Sequence, residues 1–210
     1  MITHVVGLSL GASSSIESGV AVRELSSGKL IHVDKLFSIN DIQLFFDNYT
    51  SLKNSIICVS LPWDNTILDG KWRVLSKPYQ LVATNPLMHN RDGWTHRYST
   101  RGCEYFKSLS EEGIPVDRFE LYLTRQSMHL NSCYKERSPA DCKFLQQTLH
   151  YEWGLDLPVN MMPMSQLEAI IGALLAREKS QNPNNIRKIS NFKDFDVIDI
   201  VNNSDIVKVY

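Results

Sequence analysis

The pattern of apolar positions at the start of the chain predicts three antiparallel strands. His4 to Leu10 is a short, largely apolar run that ends at Gly11, which is typical of a buried strand meeting a loop. Two runs rich in β-branched residues, Ser18 to Leu25 and Lys29 to Phe37, flank Ser26-Ser27-Gly28. Glycine accepts a positive φ, so this spacing predicts a hairpin between the second and third strands.

The next segments alternate between helical and strand patterns. A helix is predicted after Ser38, because Asp41 three residues later gives a weak capping signal and apolar residues then recur at helical spacing. Ser55 to Trp63 is almost wholly apolar and predicts a strand that is covered on both faces. Asp64 to Ser99 lacks a clear pattern, and loops of this length are uncommon unless they have a function.

The second half of the chain predicts three helices and two strands. A helix is expected from Ser99 or Thr100 to Glu112, and alternation predicts a strand over Phe119 to Thr124. Ser138-Pro139 is a strong helix start, for a helix ending near Trp153. Pro163 opens a last helix that fades at Ser180, and Phe195 to Val201 predicts a strand at the edge of the sheet.

These elements predict an α/β fold, with three antiparallel strands and then alternating helices and strands in a mixed central sheet. We expect one domain over residues 1–180, followed by a C-terminal extension over residues 181–210 that ends in the edge strand. The order suits the ribonuclease H-like architecture, although actin-like and sugar-kinase domains begin in the same way.

Composition narrows the class of protein. The formal net charge is −1, so there is no global basic field of the kind that drives avid, non-specific nucleic-acid binding. No apolar run approaches the roughly 20 residues that a membrane span needs. The four cysteines show no C-x-x-C pairing and are expected to be reduced. The chain is therefore predicted to be soluble and cytoplasmic, without a membrane partner.

Glu168 is the clearest candidate site residue. It lies in the apolar helical segment Met164 to Glu178, where Met164, Ile171 and Leu175 place it at the core-facing stripe. A carboxylate in such a place must be paired, hydrogen-bonded or bound to a metal. The alternative to a functional site is an ion pair with a basic side chain such as Arg101 or Arg125.

Several short motifs, in order, resemble the predicted-nuclease family known as domain of unknown function 429, which has the ribonuclease H-like fold. They span about Gly7 to Arg177. The motifs are Gly7-Leu-Ser-Leu-Gly11, Ser18-Gly-Val-Ala-Val22, Val59-Ser-Leu-Pro62, Arg101-Gly-Cys-Glu104, Phe119-Glu-Leu-Tyr122 and Gln166-Leu-Glu-Ala169. The family pattern has aspartate at three places, which are Ser9, Ser60 and Glu168 here, so only Glu168 keeps an acid.

The resemblance implies a site of Ser9, Ser60, Glu120 and Glu168, in which Glu120 and Glu168 would be the metal ligands. Two-metal cleavage of phosphodiesters needs several carboxylates, and serine hydroxyls do not replace two of them. We therefore expect at most weak binding of Mg²⁺ or Mn²⁺ and a binding or scaffold role. The alternative is an active metal-dependent nuclease that uses Glu120 and Glu168, with Arg101 near the scissile phosphate.

A basic and aromatic stretch, which includes Trp94, Arg97 and Arg101, is the candidate substrate-binding segment. Such mixtures suit single-stranded nucleic acid, because rings stack on bases and cations follow the phosphates. The alternative is an aromatic cap over the end of the sheet with solvated charges, since Asp64, Asp69, Asp92 and Glu104 dilute the positive charge.

Overall fold

Seven strands form one sheet in a computed structural model of the chain, which describes residues 2–11, 14–60, 90–135, 137–192 and 195–201. Side chains are described for these residues except 50–51, 90–100 and 190–192. The strands are β1 (His4–Ser9), β2 (Ser18–Glu24), β3 (Leu30–Leu36), β4 (Ser55–Ser60), β5 (Val116–Phe119), β6 (Ile186–Phe192) and β7 (Phe195–Ile200). Their order across the sheet is β3-β2-β1-β4-β5-β7-β6.

Five α-helices accompany the sheet in the described part of the chain. They are α1 (Ile39–Asn48), α2 (Asn90–Glu111), α3 (Leu121–Ser127), α4 (Pro139–Tyr151) and α5 (Met164–Gln181). Pairing is antiparallel for β1–β2, β2–β3 and β6–β7, and parallel for β1–β4, β4–β5 and β5–β7. The predicted mixed α/β architecture, with three antiparallel strands at its start, is confirmed.

Local signals explain where α1 and α4 begin. The Ser38 side chain accepts a hydrogen bond from the backbone N–H of Asp41, whose carboxylate in turn accepts from the backbone N–H of Ser38. The Ser138 side chain caps α4 by accepting from the backbone N–H of Asp141, with Pro139 in the first turn. Both predicted helix starts are therefore confirmed, since each cap satisfies N–H groups that have no partner inside the helix.

The sheet is covered on both faces. Val6 and Leu8 of β1 point to a core shared with α1 and α2, while Val5 lies in a core built largely from α4 and α5. Helix α5 lies directly on β1, because a Cβ added at Gly7 would be 1.8 Å from the carbonyl oxygen of Ala169. Gly172 makes the approach possible from the helix side, since its own added Cβ would lie 3.0 Å from Gly7 Cα.

Two predicted boundaries in the middle of the chain are wrong. Helix α2 begins at Asn90 rather than near Ser99. Residues 64–89 of the predicted loop and residues 61–63 of the strand predicted over Ser55 to Trp63 lie outside the described residues. The strand predicted over Phe119 to Thr124 ends at Phe119, and Leu121 already belongs to α3. Short apolar runs do not distinguish strand from helix, and pairing with β4 and β7 selects Val116–Phe119 as β5.

The predicted edge strand is also wrong in its position. Strand β7 lies between β5 and β6, so β6 is the last strand on this side of the sheet, opposite β3, and the sequence did not indicate β6. Charged residues such as Arg187 and Lys188 are typical of a solvent-exposed segment rather than of a strand. Arg187 nevertheless pairs with Asp199 across β6 and β7. Residues 186–200 therefore complete the sheet rather than extend from it. Among the described helices, none is long and apolar enough to cross a membrane.

Candidate functional site

Ser9 and Ser60 lie side by side at the carboxyl ends of two neighbouring parallel strands. They are Cα partners in the register of β1 and β4, and the backbone N–H of Leu10 donates to the Ser60 carbonyl at 2.9 Å. The predicted adjacency of these two strands is confirmed. This end of an open α/β sheet is where ligands commonly bind.

Glu168 reaches the same place from the second turn of α5. Its carboxylate oxygen Oε2 accepts a hydrogen bond of 2.7 Å from Ser9 Oγ. Glu168 is 2 % exposed and Ser9 is 7 % exposed, so the contact is buried. The close packing of α5 on Gly7, two residues before Ser9, explains why the helix carries its carboxylate onto this serine. Ser9, Ser60 and Glu168 thus meet at one end of the sheet.

Arg137 supplies a cation to this cluster. Its Nη2 lies 3.3 Å from the same Oε2 of Glu168, and its side chain is 54 % exposed. The partner of Glu168 predicted from the sequence is instead Arg101 or Arg125. Arg101 is an exposed residue of α2, and Arg125 forms a buried ion pair with Asp141. No local motif marks Arg137, whose position just before the Ser138 cap is the only hint in the sequence.

Asp141 holds the backbone that carries Arg137. Its carboxylate accepts from Arg125 Nη2 at 2.8 Å, Ser132 Oγ at 2.6 Å and the backbone N–H of Arg137 at 2.9 Å. Burial raises the pKa of Asp141, but the hydrogen bonds from Arg125, Ser132 and Arg137 outweigh it and leave that pKa below its ordinary value. Asp141 is therefore ionised at neutral pH and fixes the start of α4.

Cys142 directly follows Asp141 of this network. Burial raises its pKa, and the negative charges of Asp141 and Glu168 raise it further, while Arg137 and Arg125 act in the opposite direction. A thiolate is the form that attacks substrates and binds metals. Cys142 is thus protonated at neutral pH and packs as a core residue rather than acting as a nucleophile.

Glu120 lies in a different environment from Glu168. It forms an ion pair of 2.8 Å with Arg118, and both side chains are buried. Arg118 lies two residues after Val116 in β5 and therefore on the same face, which packs against α1 and α2. Ser9 and Glu168 lie on the face that packs against α5. Glu120 is predicted to bind metal together with Glu168. It is instead held by Arg118, on the other side of β5 from Glu168.

The residues of this site do not fit the metal ions that the resemblance implies. Across residues 2–60 and 90–201, as far as they are described, no three His, Cys, Asp or Glu side chains form a group that could hold a metal ion. Of Ser9, Ser60 and Glu168, only Glu168 has a carboxylate, and its Oε2 already accepts from Ser9 and lies beside Arg137. A guanidinium at this distance repels a divalent cation, so this donor set does not fit a two-metal centre.

The predicted substrate-binding residues lie on α2. Arg101 is exposed, and positions 97 and 94 precede it by four and seven residues. Residues at this spacing fall along one stripe of an α-helix. The side of α2 that enters the core is marked by Cys103, Phe106 and Leu109. Position 101 therefore belongs to the outer side of the helix.

A separate cavity of about 410 Å³ lies between α4 and residues 157–161. Its rim includes three exposed apolar side chains, Tyr151, Val159 and Met161. The cavity shares none of its lining residues with the cluster around Glu168. It is therefore not an entrance to that cluster.

Comparison with known proteins adds no assignment, because no protein-family model matches the chain and no curated protein or solved structure is significantly similar to it. A function for the chain therefore has to be inferred from the geometry of its own residues.

Proposed function

We propose that this chain is a ribonuclease H-like domain with a degenerate acidic site, which has a binding or scaffold role and does not cleave phosphodiesters. The parallel adjacency of β1 and β4, next to a three-stranded antiparallel unit, supports this fold. So does the placement of Ser9, Ser60 and Glu168 at one end of the sheet, where the resemblance requires the three acidic positions to meet.

One observation carries the functional proposal. At the point where three carboxylates are required, two positions hold serine hydroxyls and the third holds a carboxylate bonded to Ser9 and paired with Arg137. Hydroxyls add no negative charge, and the single acid is neutralised by a guanidinium. A centre that must bind two divalent ions and stabilise a pentavalent phosphoryl group lacks its ligands here.

We propose single-stranded nucleic acid as the ligand, bound along the outer side of α2. Positions 94, 97 and 101 hold a tryptophan and two arginines on one stripe, which would supply a stacking ring and two phosphate contacts. Because the whole chain is nearly neutral, such binding would depend on this local stripe and should weaken strongly with salt.

Restoring the missing acids tests the proposal about the site. The double variant Ser9→Asp with Ser60→Asp should unfold at a lower temperature without metal, because closely spaced buried carboxylates repel each other. Millimolar Mn²⁺ should recover the loss and should not stabilise the wild type. Ser9→Asn with Ser60→Asn is the matched neutral control, since it changes shape similarly without adding charge.

Cleavage assays on labelled single- and double-stranded nucleic acid decide between binding and catalysis. We expect no metal-dependent cleavage by the wild-type protein. Turnover that disappears in both Glu168→Gln and Glu120→Gln would establish the alternative, an active nuclease. A double aspartate variant that melts like the wild type with and without Mn²⁺ would mean that the serines do not form a site.

Fluorescence anisotropy with a labelled oligonucleotide tests the ligand. Arg97→Glu combined with Arg101→Glu should weaken binding at least about tenfold, since each reversal removes one phosphate contact and adds a repulsion. Lys53→Glu combined with Lys143→Glu is the control for net charge, because it changes the charge by the same amount at two exposed lysines outside α2. Equal losses in the two variants would reject the stripe on α2.

A further inference from the structure

A buried carboxylate and a half-exposed guanidinium meet at the carboxyl ends of β1 and β4. Glu168 needs a positive charge, because a buried ionised carboxylate is retained only when it is paired. Ser9 Oγ donates a hydrogen bond at 2.7 Å, but a hydroxyl supplies a dipole and no net charge. Among the described residues, Arg137 brings the cation, with Nη2 at 3.3 Å from the same oxygen.

We infer that the Arg137 guanidinium is the resident cation of this site and takes the place that a metal ion would hold in an acidic centre. The inference rests on the proposed function, since it treats Glu168 as the last acid of a degenerate site. Arg137, which no sequence motif marks, thereby has a role of its own. Once its side chain is removed, the ligand class that fits the emptied site is a small planar monovalent cation.

The backbone at Arg137 shows that its placement is enforced. Its φ is +57°, in the left-handed region that residues other than glycine adopt only at a cost. Such conformations persist where the surroundings determine them. Here the backbone N–H of Arg137 donates to Asp141, and Asp141 is itself fixed by Arg125 and Ser132. The polar contacts of Asp141 with Arg125, Ser132 and the Arg137 backbone thus hold this one residue in place.

The exposed fractions of the Glu168 and Arg137 side chains indicate where the guanidinium lies. Glu168 is 3 % exposed at its side chain and Arg137 is 54 % exposed, so the guanidinium lies between the carboxylate and solvent. A divalent ion that entered from solvent toward Glu168 would first meet this positive charge. Arg137 therefore both neutralises Glu168 and excludes competing cations.

The test removes the cation without penalising the backbone. Arg137→Gly suits the positive φ and vacates the site, so any loss of stability comes from the missing side chain. We expect its melting temperature to fall by several degrees in metal-free buffer, and to recover in a dose-dependent way with millimolar methylguanidinium. Arg137→Lys keeps the charge and should stay close to the wild type.

The control variant is Arg187→Gly, titrated with the same cations. Arg187 is also half-exposed and also pairs with a buried acid, Asp199. A second control is Arg137→Gly in a Glu168→Gln background, where removing the arginine should cost little and methylguanidinium should not stabilise. Mn²⁺ should stabilise Arg137→Gly and leave the wild type and Arg187→Gly unchanged. Two serines, Ser9 and Ser60, lie at the strand ends beside Glu168, whereas the described hydroxyl on Asp199 is that of Ser127.

Two results would overturn the inference. One is an Arg137→Gly variant as stable as the wild type, and the other is a loss of the same size with glutamine at position 168, insensitive to added cations. Neither depends on cleavage or oligonucleotide assays. If the wild type proves to be a nuclease while the Arg137 and Glu168 substitutions remain coupled, the proposed function fails and the counter-ion role of Arg137 stands.

Discussion

Two clusters in this molecule contain the same three groups, a serine hydroxyl, a buried carboxylate and a half-exposed arginine. In the first, Ser9 Oγ and Arg137 Nη2 both contact Oε2 of Glu168. In the second, the hydroxyl of Ser127 at 2.7 Å and Nη2 of Arg187 at 2.9 Å both contact Oδ2 of Asp199. The clusters differ in how the arginine is delivered.

Arg187 and Asp199 are direct Cα partners in the pairing of β6 with β7, so regular strand geometry is enough to bring them together. Arg137 instead reaches Glu168 from a loop, with a left-handed backbone that Asp141 holds in place. A cross-strand pair follows from the register of a sheet. The Arg137 contact requires strain and its own supporting network, which is why we assign a specific role to the first cluster and a structural one to the second.

Gly7→Ala should break the first cluster and spare the second, with the largest effect of the three substitutions predicted here. The new Cβ would lie 1.8 Å from the Ala169 carbonyl oxygen and 2.2 Å from the backbone nitrogen of Ala173, and backbone atoms cannot move aside as a flexible side chain can. We expect a loss of about 3 kcal/mol or more in the free energy of unfolding, measured by urea denaturation.

Gly154→Ala is the control for Gly7→Ala. Gly154 has a φ of +61°, and no atom of the described residues lies within 4 Å of an added Cβ, so alanine there meets strain without a clash. Its cost should be about 1 kcal/mol. Similar losses for the two variants would mean that α5 does not depend on close contact with β1, and that another feature places Glu168 on Ser9.

The sequence predicts the first cluster better than the second. Ser9, Ser60 and Glu168 are marked by strand-end positions and by a charge within an apolar helix, and the structure brings them together. Arg137 escapes prediction because it lies 31 residues from Glu168 and depends on a backbone conformation that no short motif specifies. Capping and turn chemistry are local, whereas the choice of a counter-ion is a long-range contact.

The second cluster was missed for a related reason. Strand β6 contains Arg187 and Lys188, so its sequence lacks the apolar run by which strands are recognised. Its polar residues are satisfied across the sheet, by Asp199 and Asp196 of β7. Pairing partners of this kind are visible only once the register is known, which explains why the true edge strand was not predicted while β7 was.

Asp141→Asn should weaken the support beneath Arg137 and have the second largest effect. It removes the counter-charge of Arg125, which is 3 % exposed, and breaking one partner of a buried pair costs about 3 kcal/mol. Because the pKa of Asp141 is lowered in the folded state, its stabilisation is present above about pH 4 and is lost as the pH falls through the folded pKa.

The measurement for Asp141→Asn is urea denaturation at a series of pH values. Wild type and variant should differ most at neutral pH and converge in acid, once Asp141 is protonated in the folded wild type. A difference that persists unchanged into acid would show that the carboxylate charge is not what holds Arg125 and Arg137. The matched substitution Asp199→Asn should leave the response of Arg137→Gly to methylguanidinium unchanged.

Asp117→Asn should have the smallest effect, because Asp117 is a buried acid without the hydroxyl that the two clusters share. Lys179 Nζ donates to it at 2.6 Å. Burial raises the pKa of Asp117, and the hydrogen bond and charge of Lys179 only partly offset that rise. The folded state thus holds the proton more tightly than the unfolded chain, so the contribution of Asp117 to stability declines as the pH rises from about 4 through the folded pKa.

Asparagine at position 117 does not titrate, so the decline in stability with rising pH is absent from the variant. At pH 7 the variant should match the stability of the wild type or exceed it by up to about 1 kcal/mol. The released Lys179 is 34 % exposed at its side chain and can be solvated, unlike Arg125 in Asp141→Asn. Urea denaturation at pH 7 measures the difference. A loss approaching that of Asp141→Asn would mean that a single lysine stabilises a buried acid to the same extent as a hydroxyl and a guanidinium together. The distinction between the two clusters and a simple buried ion pair would then not hold.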